Sequence, residues 1–146
     1  MVKYALDTNV YLDSLRSVKA SEGLKRFMAT NLSHTYLLAV VMQELRAGAR
    51  TGEQEEALQS GVFAPFETRK RVVTPSSQAF KESGRILAEL ATQEGIVISK
   101  SGPSLVNDTL IAASCRETGL ILLTRDSDYQ RIARRLHGFR YVAPPF

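Results

Sequence analysis

Apolar residues fall along this chain in two rhythms. Tyr4-Ala5-Leu6 and Leu120-Ile121-Leu122-Leu123 are short, unbroken and bounded by polar residues, the pattern of strands covered on both faces in a parallel sheet. Elsewhere the apolar positions return at helical spacing, as with Leu24, Phe27 and Met28 on one face. The pattern predicts strands at residues 3–6, 35–40, 71–74, 120–124 and 140–142. Between them it predicts a short helical turn over 9–15, an amphipathic helix over 20–30, a helix over 42–50 and a second helical piece over 53–60. Pro75, Ser76 and Ser77 open a long helix to Glu94 that Gly95 closes, and Pro103-Ser104 open another that ends at Gly119. Residues 96–102 read as a loop and 129–136 as a short helix, and Pro144-Pro145 stop the last strand. Strands alternating with helices imply right-handed crossovers and a mainly parallel central sheet, an α/β fold arranged as a three-layer α/β/α sandwich.

With no repeat, low-complexity tract or long linker, residues 1–146 form a single domain of ordinary size. The 44% hydrophobic and 23% charged composition belongs to a globular chain and excludes a disordered one. No apolar stretch approaches the roughly 20 residues that span a bilayer. An acid at Asp7 interrupts the first apolar run, which argues against a signal peptide and makes the cytoplasm the expected location. The one cysteine, Cys115, sits in an apolar helix and reads as a small core residue, since neither His34 nor His137 has an evident relation to it.

Both confident strand runs end in acids. Asp7 follows the first, and Asp126 and Asp128 follow the fourth, where open α/β sheets bind their ligands. Four of the five aspartates lie in these segments or on the helix between them, the fourth being Asp108. Asp7 reads as a metal ligand, the alternative being that it caps the following helix, since Asp-Thr-Asn is good capping chemistry; Thr8 or Asn9 could do that work and leave Asp7 free. Glu44 lies among apolar neighbours at the junction of the second strand and its helix, and Asp108 in the first turn or so of a mostly apolar helix. Asp126 and Asp128 are both placed to reach a metal, and spacing does not choose between them; Thr124 is placed to hydrogen-bond a carboxylate or a ligand water. Converging carboxylates repel one another unless a cation compensates, and an all-oxygen set favours Mg²⁺ or Mn²⁺ over zinc. Such sites act on phosphate esters.

Charge completes the picture. The formal net charge is +4 and arginine outnumbers lysine by 13 to 6. The cations cluster as Arg69-Lys70-Arg71 and as Arg131, Arg134, Arg135 and Arg140. A basic surface around an acidic centre suits an enzyme acting on a polyanion, although an ordinary solvated face has the same composition.

Leu6-Asp7-Thr8-Asn9, Glu44-Leu45, Asn107-Asp108-Thr109-Leu110-Ile111-Ala112-Ala113 and Leu123-Thr124-Arg125-Asp126-Ser127-Asp128-Tyr129 stand in an order that resembles the PIN-domain family. Within it, the chain looks like the toxin ribonucleases of VapBC toxin–antitoxin systems, and the closing strand and tail from Gly138 to Phe146 are similar too. The resemblance implies Mg²⁺- or Mn²⁺-dependent endoribonuclease activity, with Asp7, Glu44, Asp108 and Asp126 matching the family's acidic quartet. Asp128 falls where relatives often carry a further acid, so the fourth ligand is open between Asp126 and Asp128. The resemblance also implies a homodimer and a small VapB-like antitoxin whose C-terminal segment plugs the site. The substrate would be RNA, with tRNA, ribosomal RNA and messenger RNA all open. A catalytically silent PIN module that binds RNA or protein is the alternative, and the complete acidic set argues against it. A phospho-acceptor signalling domain fits less well, because Asp7 has no acidic neighbour and Arg125 stands where a lysine would be wanted.

Overall fold

Parallel pairing organises the whole chain. The computed structural model describes residues 1–101 and 103–146. Among them, β1 (Lys3–Leu6), β2 (Thr35–Leu38), β3 (Val72–Val73), β4 (Leu120–Leu123) and β5 (Arg140–Val142) form one sheet in the order β3-β2-β1-β4-β5. Every neighbouring pair is parallel. The helices are α1 (Thr8–Arg16), α2 (Val18–Asn31), α3 (Ala39–Gly48), α4 (Gly52–Leu58), α5 (Ala64–Glu67), α6 (Ser77–Gln93), α7 (Ile98–Ser101), α8 (Pro103–Thr118) and α9 (Tyr129–Ala133).

From β1 the chain steps to β2 and β3 in one direction, and from β4 it steps to β5 in the other. With right-handed crossovers, α1 to α5 cover one face and α6 to α9 the other, which makes the three layers. The packing of α1 on α2, and of α6 and α9 on α8, follows this division. The direction reverses between β1 and β4, so the crevice beyond their carboxyl ends is the switch point of the sheet. Leu6, Leu37, Leu38, Leu122 and Leu123 fill the centre with Ile86, Leu90 and Ile111 from the helices above. Among the described residues, no helix is long and apolar enough to cross a membrane.

Several boundaries differ from the sequence expectation. The second strand ends at Leu38, and α3 takes over at Ala39. Val40 and Val41 favour a strand by side-chain type, yet both are buried on α3. A short apolar run does not distinguish a buried strand from a buried helix, and burial outweighs β preference here. The helical piece expected to end at residue 60 continues through a π-helical turn at Gln59–Phe63 into α5. Gly61 and Pro65 concealed it. Pro65 lies in the first turn of α5, where its missing N–H costs little, and Phe63 and Phe66 anchor the segment by burial. Part of the expected loop over 96–102 is α7, and Gly102 lies outside the described residues. Thr124 lies just past β4, and α9 stops at Ala133 rather than residue 136.

Gly119 closes α8 at φ +71, and Gly95 follows α6 at φ +66, the left-handed conformation in which glycine costs least. Leu122 is fully buried on β4, between β1 and β5. Leu122→Ala should lower unfolding free energy by about 2–5 kcal/mol, because the strands on both sides limit collapse around the cavity. Urea denaturation would check this through a lower midpoint at an unchanged slope.

Candidate active site

The register of β1 on β4 pairs Lys3 with Leu120 and Leu6 with Leu123. It continues one step further, where the Asp7 N–H donates to the Leu123 carbonyl at 2.9 Å. Asp7 therefore emerges beside Thr124 at the switch point. Its side chain is only 4% exposed. Oδ1 accepts from the Thr8 N–H at 2.8 Å, and Oδ2 accepts from the Thr124 hydroxyl at 2.7 Å and the Asn9 amide at 3.2 Å. Asp7 is itself the N-cap of α1, the alternative left open by the Asp-Thr-Asn run, so capping does not fall to Thr8 or Asn9. The Thr124 hydroxyl uses its full capacity: it donates to Asp7 and accepts from Asn9 Nδ2 at 3.2 Å and from the Asp126 N–H at 3.1 Å.

Glu44 sits in the second turn of α3 rather than at a strand–helix junction, because the helix starts at Ala39. Its Oε1 accepts from the Thr8 hydroxyl at 2.6 Å and its Oε2 from the Asn107 amide at 3.2 Å. Asp108 follows Asn107 on α8, beyond its first turn, and its Oδ1 accepts from the Tyr129 hydroxyl at 3.2 Å. Asp126 lies in the loop after β4, half-buried, with Oδ1 accepting from the Asp128 N–H at 2.8 Å. Asp128 is exposed.

The electrostatics link these groups. Burial raises the Asp7 carboxyl above its usual range, the Thr124 and Thr8 hydrogen bonds oppose this, and the charges of Glu44 and Asp126 add to it. The Asp108 carboxyl is pushed up to about 7, chiefly by burial and then by the charges of Asp7, Asp126 and Glu44, with the Tyr129 hydroxyl pulling the other way. The structure thus sets Asp7 and Asp108 within electrostatic reach of each other and of Glu44 and Asp126, and leaves Asp128 exposed. Sequence reasoning anticipated Thr124 but missed Thr8, Asn107 and Tyr129 as carboxylate partners. The only signal was that each lies next to, or one residue away from, a candidate acid.

Among the described residues, no three His, Cys, Asp or Glu side chains stand close enough together to hold a metal ion as they are arranged, and none of these four carboxylates pairs with a lysine or arginine. An all-oxygen donor set with unoffset negative charge fits a hard divalent cation by its chemistry.

Fold and site together define a parallel α/β domain with an acidic cluster at the switch point of its sheet. The chain belongs to the PIN domain family, which matches residues 4–135, and whose members are in general nucleases. The structure is similar to a chain of the DNA-bound VapBC complex from Salmonella typhimurium, with TM-score 0.70, 27% identity and 98% of each chain covered. It is also similar to a chain of FitAcB from Neisseria gonorrhoeae, with TM-score 0.70, 23% identity and 97% of each chain covered. A toxin–antitoxin complex from Klebsiella pneumoniae shares the fold at TM-score 0.62 and 17% identity, over 97% of this chain and 98% of that one. No curated protein is detectably similar in sequence.

The raised Asp108 carboxyl has a consequence for stability. The folded protein holds this proton more tightly than the unfolded chain, whose carboxyl titrates near the ordinary value of about 4. Its contribution is therefore complete below that value and is lost as pH rises through about 7. In EDTA, the melting temperature should fall between pH 5 and pH 8, and Asp108→Asn should fall less over the same interval. Thermal melts of both proteins at the two pH values would check it.

Proposed function

We propose that this chain is an endoribonuclease dependent on Mg²⁺ or Mn²⁺, and the toxin member of a toxin–antitoxin pair. The observation that carries the proposal is that Asp7, Glu44, Asp108 and Asp126 lie within electrostatic reach about the switch point with, among the described residues, no lysine or arginine paired to them. Family membership supports nuclease chemistry. The finer step to RNA rests on the resemblance of the acidic motifs to the VapC-type toxins.

In this reading Asp7, Glu44, Asp108 and Asp126 hold the ion. When bound, it supplies Lewis acidity toward the scissile phosphate and eases deprotonation of the attacking water. Asp126 is favoured over Asp128 as the fourth acid because its charge acts on both Asp7 and Asp108, whereas Asp128 is exposed. Thr124 and Asn9 hold Asp7, and Thr8 and Asn107 hold Glu44, so little side-chain freedom is left to lose on ligation. Arg131 on α9 and Arg134 just after it follow the Asp126 loop in the chain, and in this reading they would bind RNA phosphates, in keeping with the basic balance of the chain.

The partner in this reading is a VapB-like antitoxin, supported by the likeness to the Salmonella VapBC complex. An apolar groove of about 340 Å³, lined by Tyr11, Leu15, Leu24, Met28 and Phe66, offers such a partner an apolar surface. A homodimer in the cytoplasm completes the proposal, on the family resemblance alone.

The test is cleavage of RNA by the purified chain with Mg²⁺, Mn²⁺ or EDTA, beside Asp7→Asn and Asp108→Asn. Cleavage should need the metal and disappear in both variants, while their circular dichroism stays that of the folded protein. Metal-dependent cleavage retained in either variant would overturn the assignment. A chain that binds no Mn²⁺ at all would favour the silent binding module.

A further inference from the structure

The donors that hold the acids are unevenly shared. Asp7 is held by Thr8, Asn9 and Thr124, and Glu44 by Thr8 and Asn107. Among the described residues, the hydrogen bond on the Asp108 carboxylate comes from Tyr129 alone, at 3.2 Å. Tyr129 is fully buried at the start of α9, 21 residues further along the chain. Its ring lies 5.9 Å from that of Phe139 and 6.1 Å from that of Tyr141, and those two rings stack at 5.7 Å. Packing of this kind fixes the ring, so the hydroxyl is presented from a rigid base and cannot swing aside. Phenylalanine would fill the same volume. The hydroxyl therefore adds nothing to the aromatic packing that a hydrogen atom would not, and its one partner among the described residues is an acid of the site.

We infer that Tyr129 is the positioning residue of Asp108, its buried hydroxyl fixing the carboxylate in the orientation from which it binds a divalent cation. This rests on the reading that Asp108 is a metal ligand. The hydroxyl acts in two ways. A donor on one oxygen restricts rotation of the carboxylate about its last bond, and a donor to the ionised form favours the charged state that a cation requires. The arrangement also couples two ligand-bearing elements. Tyr129 follows directly on the loop that carries Asp126, so α9 holds Asp108 on α8 and Asp126 in one fixed relation. A glutamine or leucine at the same place would break that link even with every acid intact.

The experiment uses the full chain, with Tyr129→Phe beside the wild type and Phe139→Leu. Mn²⁺ affinity is measured by electron paramagnetic resonance of the free ion, and kcat and KM by RNA cleavage in saturating Mn²⁺. Tyr129→Phe should bind Mn²⁺ about 10-fold more weakly, the size of effect usual for a residue that orients a ligand. Its kcat should fall while KM for RNA stays unchanged, because the RNA-binding arginines are untouched. Phe139→Leu loosens the same aromatic cluster but keeps the hydroxyl, so it should lower the melting temperature and leave Mn²⁺ affinity as in the wild type. A Tyr129→Phe protein that matches the wild type in both affinity and kcat, or that fails to fold, overturns the inference. A wild type that binds no Mn²⁺ overturns the metal reading itself, and the wild-type arm alone identifies that outcome.

Discussion

The parallel pairing of β1 with β4 is the constraint on which the rest depends. It joins Leu6 to Leu123 across a sequence separation of 117 residues and sets Asp7 beside Thr124. Because strands in this sheet leave the β1–β4 pair in opposite directions, no crossover helix covers the carboxyl ends at that point. The crevice is thus a consequence of strand order, and Asp7 and Asp126 occupy it because each follows its strand within a few residues. A slip of one residue in this register would exchange the faces on which Leu6 and Leu123 pack and carry Asp7 away from its hydroxyl partner. Core packing and site geometry are therefore enforced by the same hydrogen bonds.

Burying charge at such an edge is costly, and the chain spreads that cost over neutral donors. Thr8 serves two acids at once, its N–H donating to Asp7 and its hydroxyl to Glu44. Thr124 serves Asp7 while accepting from Asn9 and from the Asp126 backbone, so the site becomes one connected network rather than four separate pairs. Lysine or arginine in these positions would neutralise the acids more fully. It would also occupy the place of a cation, and the arginine nearest in sequence, Arg125, is directed elsewhere, to Asp13 at 2.8 Å and the Phe146 carbonyl at 3.0 Å.

The strands and the acids were legible because each rests on a local pattern. Continuous apolar runs marked β1 and β4, glycines marked the ends of α6 and α8, and acids just past strand ends marked the crevice. What stayed hidden depends on tertiary contact. Val40 and Val41 carry strand-forming side chains, and only their burial against neighbouring helices selects α3. The segment through Gly61 and Pro65 looks broken, and the π-helical turn that keeps it helical has no composition of its own. Asn107 and Tyr129 are ordinary residues in sequence, and only the packing of α8 beside α3 and α9 turns them toward Glu44 and Asp108. Asp126 and Asp128 could not be separated by spacing, but the loop after β4 leaves the first half-buried and the second exposed.

The two aspartates at the centre of the site differ in how far the fold itself offsets their charge. Asp7 caps α1, where the helix N-terminus and three donors favour its ionised form. Asp108 lies past the first turn of α8, where the effect of the helix end has largely decayed; burial raises its carboxyl most, the charges of Asp7, Asp126 and Glu44 add to this, and the Tyr129 hydroxyl opposes it. It is Asp108 whose carboxyl is pushed up to about 7. The cost of holding negative charge in the crevice therefore falls most heavily on Asp108, whose carboxylate accepts, among the described residues, from the Tyr129 hydroxyl, whereas Asp7 has three donors to share it.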